Sequence, residues 1–200
     1  MIITIDGYSC QGKSTVARTL AERLGWDFFS IGAVFRYLAV VYNTVSAELD
    51  SEREAVGRAV ALMHETGIES MPSVAGARGM DIERALEVLA KYPSVEGEIA
   101  RKIYSSFEGR SVVLDGRIGF LIFPDAYRSY YFVTSPERRA LFASRSRGLS
   151  LDEAREYITF RDSFEHHHTL TDRVRTVELD SFDTVDDIVA YLLSDIPRDK

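Results

Sequence analysis

The residues that promise chemistry stand near the start of the chain. Gly7 is followed by Tyr8-Ser9-Cys10-Gln11 and then by Gly12-Lys13-Ser14, the spacing G-x-x-x-x-G-K-[ST] of a phosphate-binding loop. Two glycines permit a tight wrap in which successive backbone N–H groups point inward at phosphate oxygens. The lysine adds a point charge for β- and γ-phosphates, and the serine hydroxyl can hold Mg²⁺. A helix that begins at the lysine turns its positive dipole end toward the same place. This is the chemistry of a bound nucleoside triphosphate, with Gly7, Gln11, Gly12, Lys13, Ser14 and Thr15 as the residues that hold it.

Such a loop needs a strand before it and a helix after it, and both are legible. Residues 2–6 form a short β-branched run that reads as a buried strand. Val16, Ala17, Leu20, Ala21 and Leu24 recur at helical spacing, and Gly25 suits the helix end. Further on, 26–30 reads as a second strand, and 33–43, 50–65, 81–91 and 95–107 as helices. The stretch "TGIESMPSVAGARGMD" (66–81) is irregular and reads as a hairpin or flexible insertion. "SVVLDGR" (111–117) is a buried strand ending in acid, glycine and arginine; 129–134 and 175–180 are strands; 136–147, 150–163 and 184–194 are helices. Strands alternating with helices predict a parallel sheet with helices on both faces. Ligands of such sheets bind beyond the strand C-termini, where Gly7–Ser14, Ser30–Ile31 and Asp115–Arg117 fall.

Length and composition fit one α/β domain over residues 1–200, and the net charge of −7 argues against a nucleic-acid scaffold. The absence of a long apolar run predicts no membrane span, and the first residues predict no signal peptide. The lone cysteine, Cys10, fits a reducing cytoplasm. The expected partner is a small molecule rather than nucleic acid or membrane.

"GAVFR" after the second strand, "LDGRIGFLIFPDA" after the third and "TSPERRA" beyond it resemble the cytidylate kinase family of nucleoside monophosphate kinases. The resemblance covers residues 1 to about 195. It implies a P-loop kinase three-layer sandwich with a five-stranded parallel sheet, a substrate-binding insertion (45–95, shorter than usual) and a mobile lid (145–170). It further implies ATP and Mg²⁺, with transfer of the γ-phosphoryl to a phosphorylated acceptor. Lys13, Asp115, Arg117 and Arg161 match the family's catalytic positions, Ser14 and Asp115 its metal-organising pair, and Arg36 and Arg117 its grip on the acceptor phosphate. Arg139 and Arg145 are the lid candidates over the donor phosphates.

The departures from the family concern the acceptor. The family reads cytosine with two serines, an arginine and an aspartate, and those positions hold Ile31, Glu87, Glu96 and Ile118 here. Its R-D-x-x-D-S-x-R becomes Arg161-Asp162-Ser163-Phe164-Glu165-His166-His167-His168. Glu165 can still accept from a ribose hydroxyl, but His168 replaces a phosphate-gripping arginine and is mostly neutral at pH 7. Three consecutive helical histidines splay about 100° apart, so they make a poor metal site.

The leading expectation is an ATP-dependent phosphotransferase acting on a nucleoside monophosphate of the CMP, dCMP or modified-pyrimidine type. One alternative is a kinase of a non-nucleotide metabolite or antibiotic-like acceptor, which Glu87 and Glu96 favour if it is cationic or hydroxyl-bearing. Another is a nucleotide-binding module without turnover, which has no need for the full Lys13–Ser14–Asp115 set.

Overall fold

A computed structural model of the chain describes residues 1–74, 79–164 and 169–196. The order is β1 (Ile2–Gly7), α1 (Lys13–Leu24), β2 (Asp27–Ser30), α2 (Ile31–Ser46), α3 (Glu52–Glu65), α4 (Met80–Ala90) and α5 (Pro93–Phe107). It continues with β3 (Val112–Asp115), α6 (Gly119–Ile122), β4 (Arg128–Val133), α7 (Pro136–Arg147), α8 (Leu151–Phe164), β5 (Val174–Glu178) and α9 (Val185–Asp195). Contacts divide the chain into two compact units, Met1–Phe29 with Gly109–Lys200, and Ser30–Glu108.

The first unit carries a five-stranded parallel sheet in the order β2-β3-β1-β4-β5. A parallel sheet is covered on both faces, which is why its strands read as apolar runs. In β1 the alternation is visible in what each residue meets. Ile3 and Ile5 join Val16, Ala17 and Leu20 of α1 and Ile188, Val189 and Leu192 of α9 in one buried cluster. Thr4 and Asp6 point to the other face, where Gly119 of α6 lies so close that a Cβ there would stand 2.9 Å from the Thr4 Cβ.

Register then brings the interesting loops to one end of the sheet. Ile5 pairs with Asp115 and Gly7 with Phe132, so the 7–14 loop and the 115–118 turn leave the sheet side by side. At the opposite end Asp195 collects the Tyr130 hydroxyl at 3.0 Å and the guanidinium groups of Arg128 and Arg175. That network ties α9 to β4 and β5.

The second unit is helical. Its α2 packs against α3, α4, α5 and a 3₁₀ turn at Ile68–Val74. The Tyr37 hydroxyl meets the Thr66 Oγ1 at 2.7 Å, and Asn43 donates to the Asp81 carbonyl. Among the described residues no helix is long and apolar enough to cross a membrane.

Several boundaries differ from the sequence reading by a few residues, and two of them have clear local reasons. The 175–180 strand stops at Glu178, and Leu179–Ser181 turns into a 3₁₀ helix. Asp180 is drawn out of the ladder because its carboxylate accepts from the Thr134 hydroxyl and from the Ser135 N–H at 3.0 Å. The helix expected from 95 starts at Pro93, since proline at the first helical position lacks only an N–H that would have no partner there. Within 66–81, Ala75–Arg78 lie outside the described residues, as does the 165–168 part of the lid segment.

Candidate active site

The loop between β1 and α1 needs three residues in the positive-φ half of backbone space: Gly7 (φ 136°), Cys10 (φ 62°) and Gly12 (φ 75°). At Gly7 the requirement is also one of space. A Cβ would come within 2.4 Å of the Gln11 side-chain oxygen and 2.6 Å of the Phe132 carbonyl. Gln11 is buried against this point, and among the described residues neither end of its amide has a hydrogen-bond partner. Cys10 adopts its left-handed backbone without the freedom of glycine, at a cost of roughly 1–2 kcal/mol. Its side chain is seated on the small apolar cluster formed by Ala140 and Ala143 of α7 with Ala154 and Ile158 of α8. The sequence offered no sign of this strain.

Lys13 opens α1 and is almost fully buried, its ammonium donating back to the Tyr8 carbonyl. Ser14, one residue on, donates its hydroxyl to the Asp115 Oδ2 at the end of β3. Asp115 is buried, and its other oxygen, Oδ1, has no hydrogen-bond partner among the described residues. A buried orphan carboxylate oxygen beside a serine hydroxyl suits a hard divalent cation whose remaining ligands are water and phosphate oxygens. Among the described residues there is no group of three or more His, Cys, Asp or Glu side chains placed to hold a metal. Thr15 is exposed, and its N–H bonds to the Gly12 carbonyl at 3.0 Å.

Arg117 reaches the same loop, its Nη2 donating to the Ser9 hydroxyl. The turn that carries it is fixed by Asp6, a residue the motif reading passed over. Both oxygens of this fully buried carboxylate accept from the first turn of α6, from Gly119 N at 2.7 Å and Phe120 N at 3.0 Å. Burial pushes Asp6 up to about 6, against the opposing pull of those two N–H donors and the Lys13 charge.

The sign of the resulting pH effect follows by linkage. The folded state holds the proton more tightly than the unfolded chain, so the Asp6 contribution is complete below about pH 4 and is lost as pH rises through 6. The separation is worth roughly 3 kcal/mol. Urea unfolding from pH 4 to 7 is therefore expected to show a falling stability segment in the wild type that is missing in Asp6→Asn. Parallel curves for the two proteins would show that Asp6 does not titrate in that window.

The lid arginines are placed in three different ways. Arg139 is buried, with its Nε donating to the Ser9 carbonyl at 2.9 Å and its two terminal nitrogens to Asp162 at 2.8 and 2.7 Å. Arg161 is buried in α8 with its guanidinium 5.2 Å from the centre of the Phe164 ring. Arg145 is exposed on the last turn of α7. Ile118, beside Arg117, is buried at 4% exposure.

The remaining acceptor candidates belong to the helical unit. Ile31 is the first residue of α2 and is buried. Arg36 is half-buried one turn later and folds back along the helix, its Nη1 lying 3.2 Å from where a Gly32 Cβ would stand. Glycine at 32 thus leaves room for the guanidinium. Glu87 on α4 and Glu96 on α5 are half-buried, and Glu83 on α4 is buried. Glu165 and His168 lie outside the described residues.

A family model for cytidylate kinase matches residues 3–195 of the chain. Among curated proteins, the cytidylate kinase of Geobacillus thermodenitrificans is 30% identical over 96% of this chain and 94% of its own length. That of Thermus thermophilus is 28% identical over 98% and 99%. The cytidylate kinase of Geobacillus kaustophilus is 34% identical over a shorter segment, 69% of this chain and 66% of that protein. Among solved structures, a gluconokinase from Sinorhizobium meliloti superposes with a TM-score of 0.55 at 12% identity, covering 97% of this chain and 90% of that one. Identity that low speaks to the fold alone.

Proposed function

Because the chain belongs to the cytidylate kinase family of ATP-dependent kinases, we propose that it moves the γ-phosphoryl of ATP to a nucleoside monophosphate of the CMP, dCMP or modified-pyrimidine type. The observation that carries this reading is the packing of Lys13, Ser14, Asp115 and Arg117 around one loop at the C-terminal end of the sheet. In the reaction an acceptor phosphate oxygen bonds to the γ-phosphorus, the bond from that phosphorus to the β–γ bridging oxygen breaks, and ADP leaves with the bonding electrons. Catalysis then consists of positioning and charge neutralisation. Lys13 and the inward N–H groups of the loop receive the donor's β- and γ-oxygens, and Arg161 adds charge from the lid. Arg117 and Arg36 each match a residue with which the family grips the acceptor phosphate, to which a guanidinium offers two parallel donors. Ser14 and Asp115 would hold Mg²⁺, which supplies further neutralisation of the phosphate oxygens. The setting is the cytoplasm, where ATP and nucleotide acceptors are at hand.

A second reading is favoured by one specific observation. The two positions where the family reads the base at the sheet and at the start of α2 are both buried isoleucines, Ile118 and Ile31. Neither can hydrogen-bond a pyrimidine edge, and each unpaired polar group costs about 1–3 kcal/mol. An acceptor with a less polar or cationic head, met by Glu87 and Glu96, suits those substitutions.

Mg·ATP consumption with CMP, dCMP, UMP and AMP, each against a control without acceptor, decides between the two. Turnover with CMP or dCMP supports the nucleotide reading. Binding of Mg·ATP with no turnover on any of the four overturns it and moves the search to small metabolites. With the active acceptor, Arg36→Ala and Arg117→Ala are each expected to raise its KM by about tenfold or more and to lower kcat. Unchanged kinetics in both variants would mean that neither arginine grips an acceptor phosphate.

A further inference from the structure

Arg139 spends its side chain on the protein. Its Nε bonds the Ser9 carbonyl, its two terminal nitrogens form a fork with the two oxygens of Asp162, and its guanidinium lies 5.0 Å from the centre of the Tyr8 ring. A bidentate guanidinium–carboxylate pair is directional, so it fixes an angle as well as a distance. Here it fixes the angle between α7, α8 and the outer half of the phosphate loop. Tyr8 lies under the guanidinium, Ser9 gives it a carbonyl, and Cys10 is packed on the apolar seam between the same two helices.

Ser9 is held twice, since its hydroxyl also accepts from Arg117. The inner wall of the loop is thus referred to the acceptor-side arginine and the outer wall to the lid helices, through one residue. Asp162 directly follows Arg161 in α8, so whatever holds Asp162 also fixes where Arg161 starts from. We propose that Arg139 and Asp162 are positioning residues for phosphoryl transfer. Their fork clamps the Ser9 carbonyl, sets the curvature of the loop that receives the donor phosphates, and places the helix carrying Arg161. Arg139 acts on the donor through the loop backbone rather than as a phosphate ligand. The inference rests on the kinase reading above but can be judged without an acceptor.

The test uses the full chain as Asp162→Asn, as Arg139→Lys and as the double variant. Asp162→Asn keeps the shape and loses one half of the fork; Arg139→Lys keeps the charge and most of the buried stem and serves where the first variant lowers folding. Mg·ATP affinity is measured by calorimetry without acceptor, then kcat and acceptor KM with the active nucleotide. Each single variant is expected to weaken Mg·ATP binding by about tenfold and to lower kcat with acceptor KM unchanged, since small misplacements of a reacting group are costly. The double variant should fall no further than the worse single, because the two residues act as one unit. A merely structural role would reduce the folded fraction and leave the affinity of the folded protein intact. Mg·ATP affinity within about twofold of wild type in folded variants, or two losses that add in full, overturns the proposal. Wild-type protein that binds Mg·ATP without turning over any acceptor overturns the acceptor assignment alone. Wild-type protein that binds no Mg·ATP overturns both.

Discussion

Lys13→Ala lowers phosphoryl transfer by about a thousandfold while leaving the fold in place. The magnitude comes from the role proposed for the ammonium, which is to face the charge that spreads over the transferring group. In the proposed mechanism it is a nearly buried, fixed cation, and such groups cost no reorganisation at the moment of reaction. Lys13 is 9% exposed and already bent over the loop, donating to the Tyr8 carbonyl. Its stem therefore does not have to be ordered when the donor arrives. The stability cost is small by comparison. Alanine is the best helix former at the start of α1, and the carbonyl of Tyr8 loses one bond worth about 1 kcal/mol. Single-turnover assays at saturating acceptor, beside a thermal melt, make the comparison. Wild-type rates from this variant would remove the loop from the mechanism.

Gly7→Ala is the second large effect, and it acts on shape instead of charge. Its Cβ would meet the Gln11 side-chain oxygen at 2.4 Å and the Phe132 carbonyl at 2.6 Å. The glutamine can swing away. The carbonyl belongs to a strand at the centre of the sheet and cannot. The backbone at φ 136° is also in a region that side chains with a Cβ rarely enter. The loop must shift, and the N–H groups proposed to receive the donor phosphates shift with it, so Mg·ATP binding should fall by about a hundredfold. Gly12→Ala provides the control, since a Cβ there meets nothing closer than Phe142 at 3.6 Å and only the φ of 75° resists. That variant should lose roughly 1–2 kcal/mol of stability and keep most of its affinity. Equal losses at both positions would mean that space at Gly7 is not what the loop requires.

The residues that could be read in advance are those whose meaning is local. The β-branched run before Gly7, the glycine spacing and the apolar period after Lys13 each declare themselves within a dozen residues. Arg139 was legible as an arginine near the lid, but its partners are Ser9, 130 positions away, and Asp162, 23 positions away. No short window contains that arrangement. Asp6 is the plainer case. It looks like the last polar residue of a strand, and only the arrival of Gly119 and Phe120, 113 and 114 residues later, makes it an acceptor for the turn that carries Arg117. Cys10 looks like an ordinary small loop residue until its backbone angle is known. The motif thus pointed to the loop, while the three-dimensional contacts showed how that loop is stiffened.

The order of the strands also has a consequence for how the chain is made. The central strand β1 leaves the ribosome first, yet both its neighbours, β3 and β4, begin more than 100 residues later. At about 5–20 residues per second, Ile2, Ile3 and Ile5 wait roughly 5–20 s for a partner. The helical unit Ser30–Glu108 is translated within that interval, and its contacts are near in sequence, so it can fold while the strand waits. The helical unit thus occupies the interval of synthesis between the phosphate loop and the strand that pairs beside it.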